Sequence, residues 1–217
     1  MAKAKKKEKE AQVERVVITA PDFGNMTVPL IGSAILVVHR FSEKAKKEML
    51  YKHTHPTVKS KLREAKNPEE LFQSCLYVSE EGWYGFPASA FRAASIRACS
   101  LVGVKMTEAK MTLFIVADGY DKFDGTPLCR ITSGLPQMHM SAVRIQSTTD
   151  IRVRAMFREG WKMNLKMRWD NAQLDKTDVV NLINRVGIQV GIGEGRPSSP
   201  KSCGMGWGTF DISSKRG

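Results

Sequence analysis

Ile151-Arg152-Val153-Arg154-Ala155-Met156-Phe157, then Arg158-Glu159-Gly160, then Trp161-Lys162-Met163-Asn164-Leu165-Lys166-Met167-Arg168-Trp169: this stretch alternates apolar and polar residues on both sides of a short break. Successive strand residues point to opposite faces, so each arm has one apolar and one cationic face. Two such arms around a glycine-containing break predict a β-hairpin. With Phe157 opposite Trp161, Val153 faces Leu165 and Ala155 faces Met163; on the other side Arg152 faces Lys166 and Arg154 faces Asn164. Arg152, Arg154, Lys162, Lys166 and Arg168 then form a face without an acidic residue. Like charges opposed in this way repel unless solvent or a polyanion separates them. A phosphate-binding surface and an ordinary solvated face are the two readings.

Upstream, residues 28–38 (VPLIGSAILVV) are an almost unbroken apolar run, the pattern of a buried central strand. Ser42 with Glu43 behind it predicts a capped helix over 42–52. Between Arg40 and Lys66, nine Lys or Arg, among them Lys44, stand against three Glu, and the polar part of this segment reads as an insertion near 40–70. Pro87 opens a helix with Phe91, Ala94, Ile96, Ala98 and Leu101 for its buried side and Gly103 as its stop. Residues 111–117 and 128–131 read as strands of a hairpin around a glycine-containing loop, within a second insertion near 118–150.

Downstream, Asp175 or Thr177 caps a helix over 175–186, with Val179, Leu182, Ile183 and Val186 as its stripe and Gly187 at its end. Residues 188–190 begin a short strand and 209–212 a last one. Strands, helix, strands, helix, strand is an α+β order, best explained by a ferredoxin/RRM-like antiparallel sheet with insertions. Helices on one face leave the other open to a ligand, as in sheet-based RNA binders. The chain is read as a disordered basic arm (1–12, five Lys and two Glu) followed by one α+β domain over 13–217.

The net charge is +12 on 217 residues, with 34 Lys and Arg against 22 Asp and Glu. This excess points to a phosphate-bearing partner, because neutralising phosphates releases counterions. Cys75, Cys99, Cys129 and Cys203 are scattered without a CxxC pair, which suggests thiols in a reducing, cytoplasmic compartment. No apolar stretch is long enough for a membrane span, and the lysine-rich start lacks the apolar core of a secretory signal. No cofactor is implied. Asp118, Asp121 and Asp124 share a loop, but EF-hand spacing is missing. His53 and His55 lack a zinc partner nearby, and His39 ends a strand, where it suits either a general base or a packing role.

Six glycines run between Gly191 and Gly208, a segment that also holds Gly193, Arg196, Lys201 and Trp207. Glycines let backbone amides approach a phosphate, Arg196 and Lys201 add charge, and Trp207 offers a stacking surface. Neither a Walker loop nor a dinucleotide fingerprint is present. The pattern Gly-apolar-Gly, basic residues, Gly-x-Gly resembles the glycine-rich loop of the RAMP superfamily, the repeat-associated RNA-binding proteins of CRISPR systems. The segment Gly85-Phe86-Pro87-Ala88-Ser89-Ala90-Phe91-Arg92-Ala93-Ala94-Ser95-Ile96-Arg97 resembles the helix start of that superfamily's backbone subunits. The resemblance implies an RRM-like palm gripping single-stranded RNA. Ser89, Arg92, Arg97 and the loop around Arg196 and Lys201 would lie near the strand, with oligomerisation along it. A solitary relative from a phage or mobile element fits equally. Three alternatives stay open: a phage single-stranded DNA-binding or annealing protein, a metal-dependent nuclease, and a structural protein whose basic face meets an acidic partner.

Overall fold

The computed structural model describes residues 18–55, 67–145, 148–200 and 204–213. β1 (Phe23–Gly32) and β2 (Leu36–Val38) are followed by α1 (Glu43–Thr54), α2 (Pro68–Ser74), β3 (Gly85–Pro87), α3 (Ala88–Leu101) and α4 (Met106–Thr112). Next come β4 (Leu113–Val116), β5 (Gly119–Tyr120), β6 (Pro127–Ser133), β7 (Pro136–Ile145), β8 (Thr148–Phe157) and β9 (Lys162–Asp170). α5 (Lys176–Arg185), a single π-helical turn (Val186–Val190) and β10 (Phe210–Ile212) complete the chain. The fold is mixed α+β with two antiparallel sheets. The larger runs β10-β1-β9-β6-β3, with β4 also on β9 and β5 on β6; the smaller is β2-β8-β7.

The expected hairpin over 151–169 does not form. β8 and β9 lie in different sheets, and the chain passes from one to the other without reversing. β9 pairs with β1 up to Ile31–Lys162, and β8 pairs with β2 from Leu36–Phe157, five residues on along one chain and five back along the other. The register is therefore one continuous ladder, bent where 33–35 meets 158–161. The run over 28–38 is accordingly two strands rather than one. The bend has a packing cause. Gly32 lies against the Trp161 indole, where a Cβ would come within 2.1 Å of Nε1, and that Nε1 donates to the Ala34 carbonyl at 2.9 Å. Gly160, at φ +84°, takes the bend on the opposite strand. Period-two alternation survives a bend as well as a turn, so the pattern predicts the strands and their faces but not their partners.

The hairpin partner of β8 is β7, in register from Pro136–Phe157 to Ile145–Thr148. Two further strand expectations are corrected. Residues 106–112 are helical, so the strand expected from Met111 begins at Leu113; β4 and β6 both lie along β9, and the expected hairpin is reduced to the short β5–β6 pair, with Gly119 opposite Leu128 and Tyr120 opposite Pro127. Residues 188–190 belong to the π-helical turn, because Gly191 donates to Val186 O at 2.7 Å and winds the helix end one residue wider.

The N-terminal helix signals hold, whereas Gly187, expected to end the helix over 175–186, lies inside the π-helical turn that prolongs it. Ser42 Oγ accepts from Ala45 N at 3.2 Å, and Asp175 forms a capping box with Asp178. α3 starts directly after Pro87. Val179, Leu182, Ile183 and Val186 are all buried, whereas Leu101 at the end of α3 is exposed. The core lies between the helices and the inward face of the large sheet: Val28, Leu30, Met163, Leu165, Met167 and Trp169 meet Phe91, Ala94, Ala98, Leu182 and Ile183. Among the described residues, no helix is long and apolar enough to cross a membrane. Cys75, Cys99 and Cys129 are free and buried; Cys203, the basic arm over 1–12 and Lys201 lie outside the described residues.

Candidate nucleic-acid interface

α3 is pinned at its start by β3, which pairs Phe86 with Cys129 of β6. Its inner side, with Phe91, Ala94, Ser95 and Ala98, is buried. Ser89, Ala93 and Arg97, spaced by four, form a stripe on the outside. This stripe is one wall of an open groove of about 920 Å³. The other wall is the glycine-rich loop with Gly191, Gly193, Glu194 and Arg196, and Val37, His39 and Tyr77 contribute to the lining. The two segments that carry the family resemblance, about a hundred residues apart in sequence, thus face each other.

Backbone bonds hold the described part of the loop at several points. Ile192 N donates to Gly208 O at 3.0 Å, Glu194 N to Val37 O at 3.0 Å, and Gly208 N to Ile35 O at 2.7 Å. The Arg196 guanidinium donates to Gly193 O at 3.0 Å, which keeps its head at the groove. Gly193, at φ +76°, passes so near β2 that a Cβ would sit 2.7 Å from Val37 O.

Behind the loop stands a charge cluster. Glu194 receives two hydrogen bonds from Arg154, Nε at 2.7 Å and Nη2 at 2.8 Å, and Arg154 Nη1 donates to Ser141 Oγ at 2.6 Å. Arg152 Nη1 is 3.4 Å from the same carboxylate and His39 Nδ1 is 3.5 Å from it. Burial pushes the Glu194 carboxyl upward, but hydrogen bonds from His39 and Arg154 outweigh it and hold the pKa at about 2. His39 is raised to about 9 by hydrogen bonding to Cys75 and then to Glu194, against the opposing effect of burial. The groove wall therefore presents a cationic His39 at neutral pH.

The other sequence candidates fall elsewhere. Lys162, Lys166 and Arg168 point from β9 to the opposite face of the sheet and do not line the groove. Lys166 pairs with Asp118 at 2.8 Å, and Arg168 lies 4.1 Å from the Phe23 ring centroid. Arg152 and Arg154 are in the smaller sheet, so the expected continuous cationic face is split in two. Arg40 is buried, its guanidinium 3.3 Å from Glu43, 3.7 Å from Asp121 and stacked on Phe123. Arg92 ties α3 to its neighbours through Leu113 O at 3.1 Å and Lys110 O at 2.5 Å. Lys44 is exposed on α1. Trp207 packs over Gly195 and meets His139 edge to face at 5.3 Å.

No group of metal-binding side chains occurs among the described residues. Asp118 accepts from Arg130 N and pairs with Lys166; Asp121 accepts from Val78 N and Phe123 N; Asp124 accepts from Thr126 and pairs with Lys46. The three carboxylates are taken up by separate partners on different elements and do not converge. His53 and His55 are exposed at the end of α1, where His55 stacks on Tyr51. Sequence reasoning missed Glu194 and Tyr77; an acid flanked by glycines, two residues before Arg196, was the available sign of Glu194. No protein-family model matches the chain, and no curated protein matches it.

Proposed function

We propose that this chain binds the backbone of a single-stranded nucleic acid, RNA before DNA, in the groove between α3 and the glycine-rich loop. The observation that carries the reading is the convergence of Ser89 and Arg97 with Gly191, Gly193 and Arg196 on one groove, beside His39. Three cationic side chains over an apolar floor with Phe86, Pro87 and Val37 suit phosphates at the rim and a splayed base inside. The order β10-β1-β9-β4, antiparallel throughout, supports a ferredoxin-like reading of the palm, with α3 between β1 and β4 and α5 between β9 and β10.

The test is fluorescence anisotropy with labelled single-stranded RNA and DNA of equal length over a salt series. About three phosphates engaged by His39, Arg97 and Arg196 give a log–log salt slope of roughly −2 for a single strand. Arg97→Ala and Arg196→Ala should each weaken binding and flatten the slope by about 0.7. Unchanged affinity in both variants refutes the groove. Binding that favours DNA instead supports the single-strand-binding or annealing alternative.

A further inference from the structure

Glu194 is an acid in the wall of a groove read as phosphate-binding. A carboxylate in such a place ordinarily repels the ligand, and its removal ordinarily tightens binding. The geometry points to the opposite role here: we infer that Glu194 is a positioning residue, whose pairing with Arg154 holds the glycine-rich loop closed on β2 and β8 so that Arg196 faces the strand. The inference rests on the groove reading given above and adds a role that neither the charge pattern nor the glycine pattern predicts.

Three observations carry it. First, the carboxylate is already fully engaged. Both oxygens take charge-assisted bonds from Arg154, at 2.7 and 2.8 Å, and Arg152 and His39 stand within 3.5 Å, so its charge is spent on the protein and little is left to repel a phosphate. Second, Arg154 is only 5% exposed, and among the described residues its side-chain bonds go to Glu194 and Ser141; loss of the carboxylate leaves a buried guanidinium without that counter-charge. Third, the anchor is next to the working part. The Glu194 amide bonds to Val37 O, and the preceding carbonyl, that of Gly193, is the acceptor that holds Arg196. A loop that lifts at Glu194 moves the Arg196 support with it.

The test compares wild type, Glu194→Gln, Arg196→Ala and the double variant, with Arg97→Ala as the control, using a labelled oligouridine at constant salt. Glu194→Gln should weaken binding by about tenfold despite raising the net charge, because a loop closed one-tenth of the time divides the affinity by that fraction. The double variant should be no weaker than Glu194→Gln by more than about twofold, since the two act as one unit. A general loss of stability would not produce that non-additivity. Equal or tighter binding by Glu194→Gln, or losses that multiply in the double variant, overturns the inference. If Arg97→Ala and Arg196→Ala both leave affinity unchanged as well, the groove reading itself falls; if only Arg97→Ala weakens binding, the groove stands and the role of Glu194 does not. Should Glu194→Gln not fold, Glu194→Leu with Arg154→Met removes both charges together. It is expected to show the same loss, and wild-type affinity in that variant overturns the inference as well.

Discussion

Gly206 and Gly208 form a matched pair for testing how the groove wall is built. Both are in the left-handed region, at φ +71° and +67°, so an alanine at either pays the same conformational penalty, about 1–2 kcal/mol. Their surroundings differ. A Cβ on Gly206 meets nothing within 4 Å, whereas one on Gly208 lands 1.7 Å from Ile192 O, a backbone atom with no side-chain freedom to yield. Relief requires the two strands of the loop to separate by more than about 1 Å, which breaks the bond from Ile192 N to Gly208 O and strains that from Gly208 N to Ile35 O. Losing these bonds around a buried Ile192 adds about 2–4 kcal/mol to the cost at Gly208 alone. Urea unfolding at equilibrium reads the difference as a shift in midpoint at unchanged slope, close to 1 M for a slope of about 2–3 kcal/mol per molar. Gly208→Ala should also weaken RNA binding more than Gly206→Ala, because Ile192 lines the groove. Equal stability losses in the two variants would refute the packing described between Ile192 and Gly208.

His39 gives a pH dependence with a definite sign. Its pKa is raised from 6.5 to about 9 in the folded chain, so its contribution is fully present below pH 6.5 and is lost as pH rises through 9. Its side chain is 42% exposed, which reduces the contribution to about 1–2 kcal/mol. The groups facing it are Glu194 on the loop and Cys75 after α2, with Arg152 and Arg154 of β8 sharing the Glu194 carboxylate. The stability gap between wild type and His39→Gln, followed by chemical unfolding from pH 6 to 10, should close toward the alkaline end; parallel curves contradict it. Arg40→Ala leaves the fully buried Asp121 without its cation and should destabilise by about 3 kcal/mol in the same assay, while RNA affinity stays within about twofold. A selective loss of binding would return Arg40 to the interface.

Local chemistry was legible where one short segment contains both halves of an interaction. Ser42 with Ala45, Asp175 with Asp178, and Pro87 at the start of α3 are contacts over a few residues, and each forms as the sequence implies. The inward face of β9, with Met163, Leu165, Met167 and Trp169 buried, follows from period two alone. Partnership over distance was not legible. The apolar and cationic faces of 151–157 and 161–169 exist, but whether the glycine between them reverses or bends the chain depends on Gly32 and Trp161, which meet only in the fold. β7 could have been found from the alternation of Met138, Met140 and Ala142 with His139, Ser141 and Val143, although that face pattern is weak. The same limit applies to the candidate site. Ser89 and Arg97 share a helix face by spacing, while the fates of Arg40, Arg92 and Arg154 were set by Asp121, Leu113 and Glu194, residues 21 to 81 positions away.

The sorting of cations is what turns a basic composition into a directional surface. A charge of +12 spread evenly would bind polyanions anywhere, with a salt slope set by all the accessible lysines and arginines. Here several candidate cations already have internal duties: Arg40 to Asp121, Arg92 to two carbonyls, Arg154 to Glu194 and Lys166 to Asp118. Using them for a ligand would mean breaking those contacts first. His39, Arg97 and Arg196 line one open groove, with His39 beside Glu194 and Arg196 bonded to a carbonyl of the groove wall itself, so all three border the space a ligand would enter. On the outer face of the sheet, Lys166 pairs with Asp118 and Arg168 lies over the Phe23 ring, away from the groove. In the proposed reading it is the convergence of these side chains on one groove, rather than the amount of charge, that selects the site.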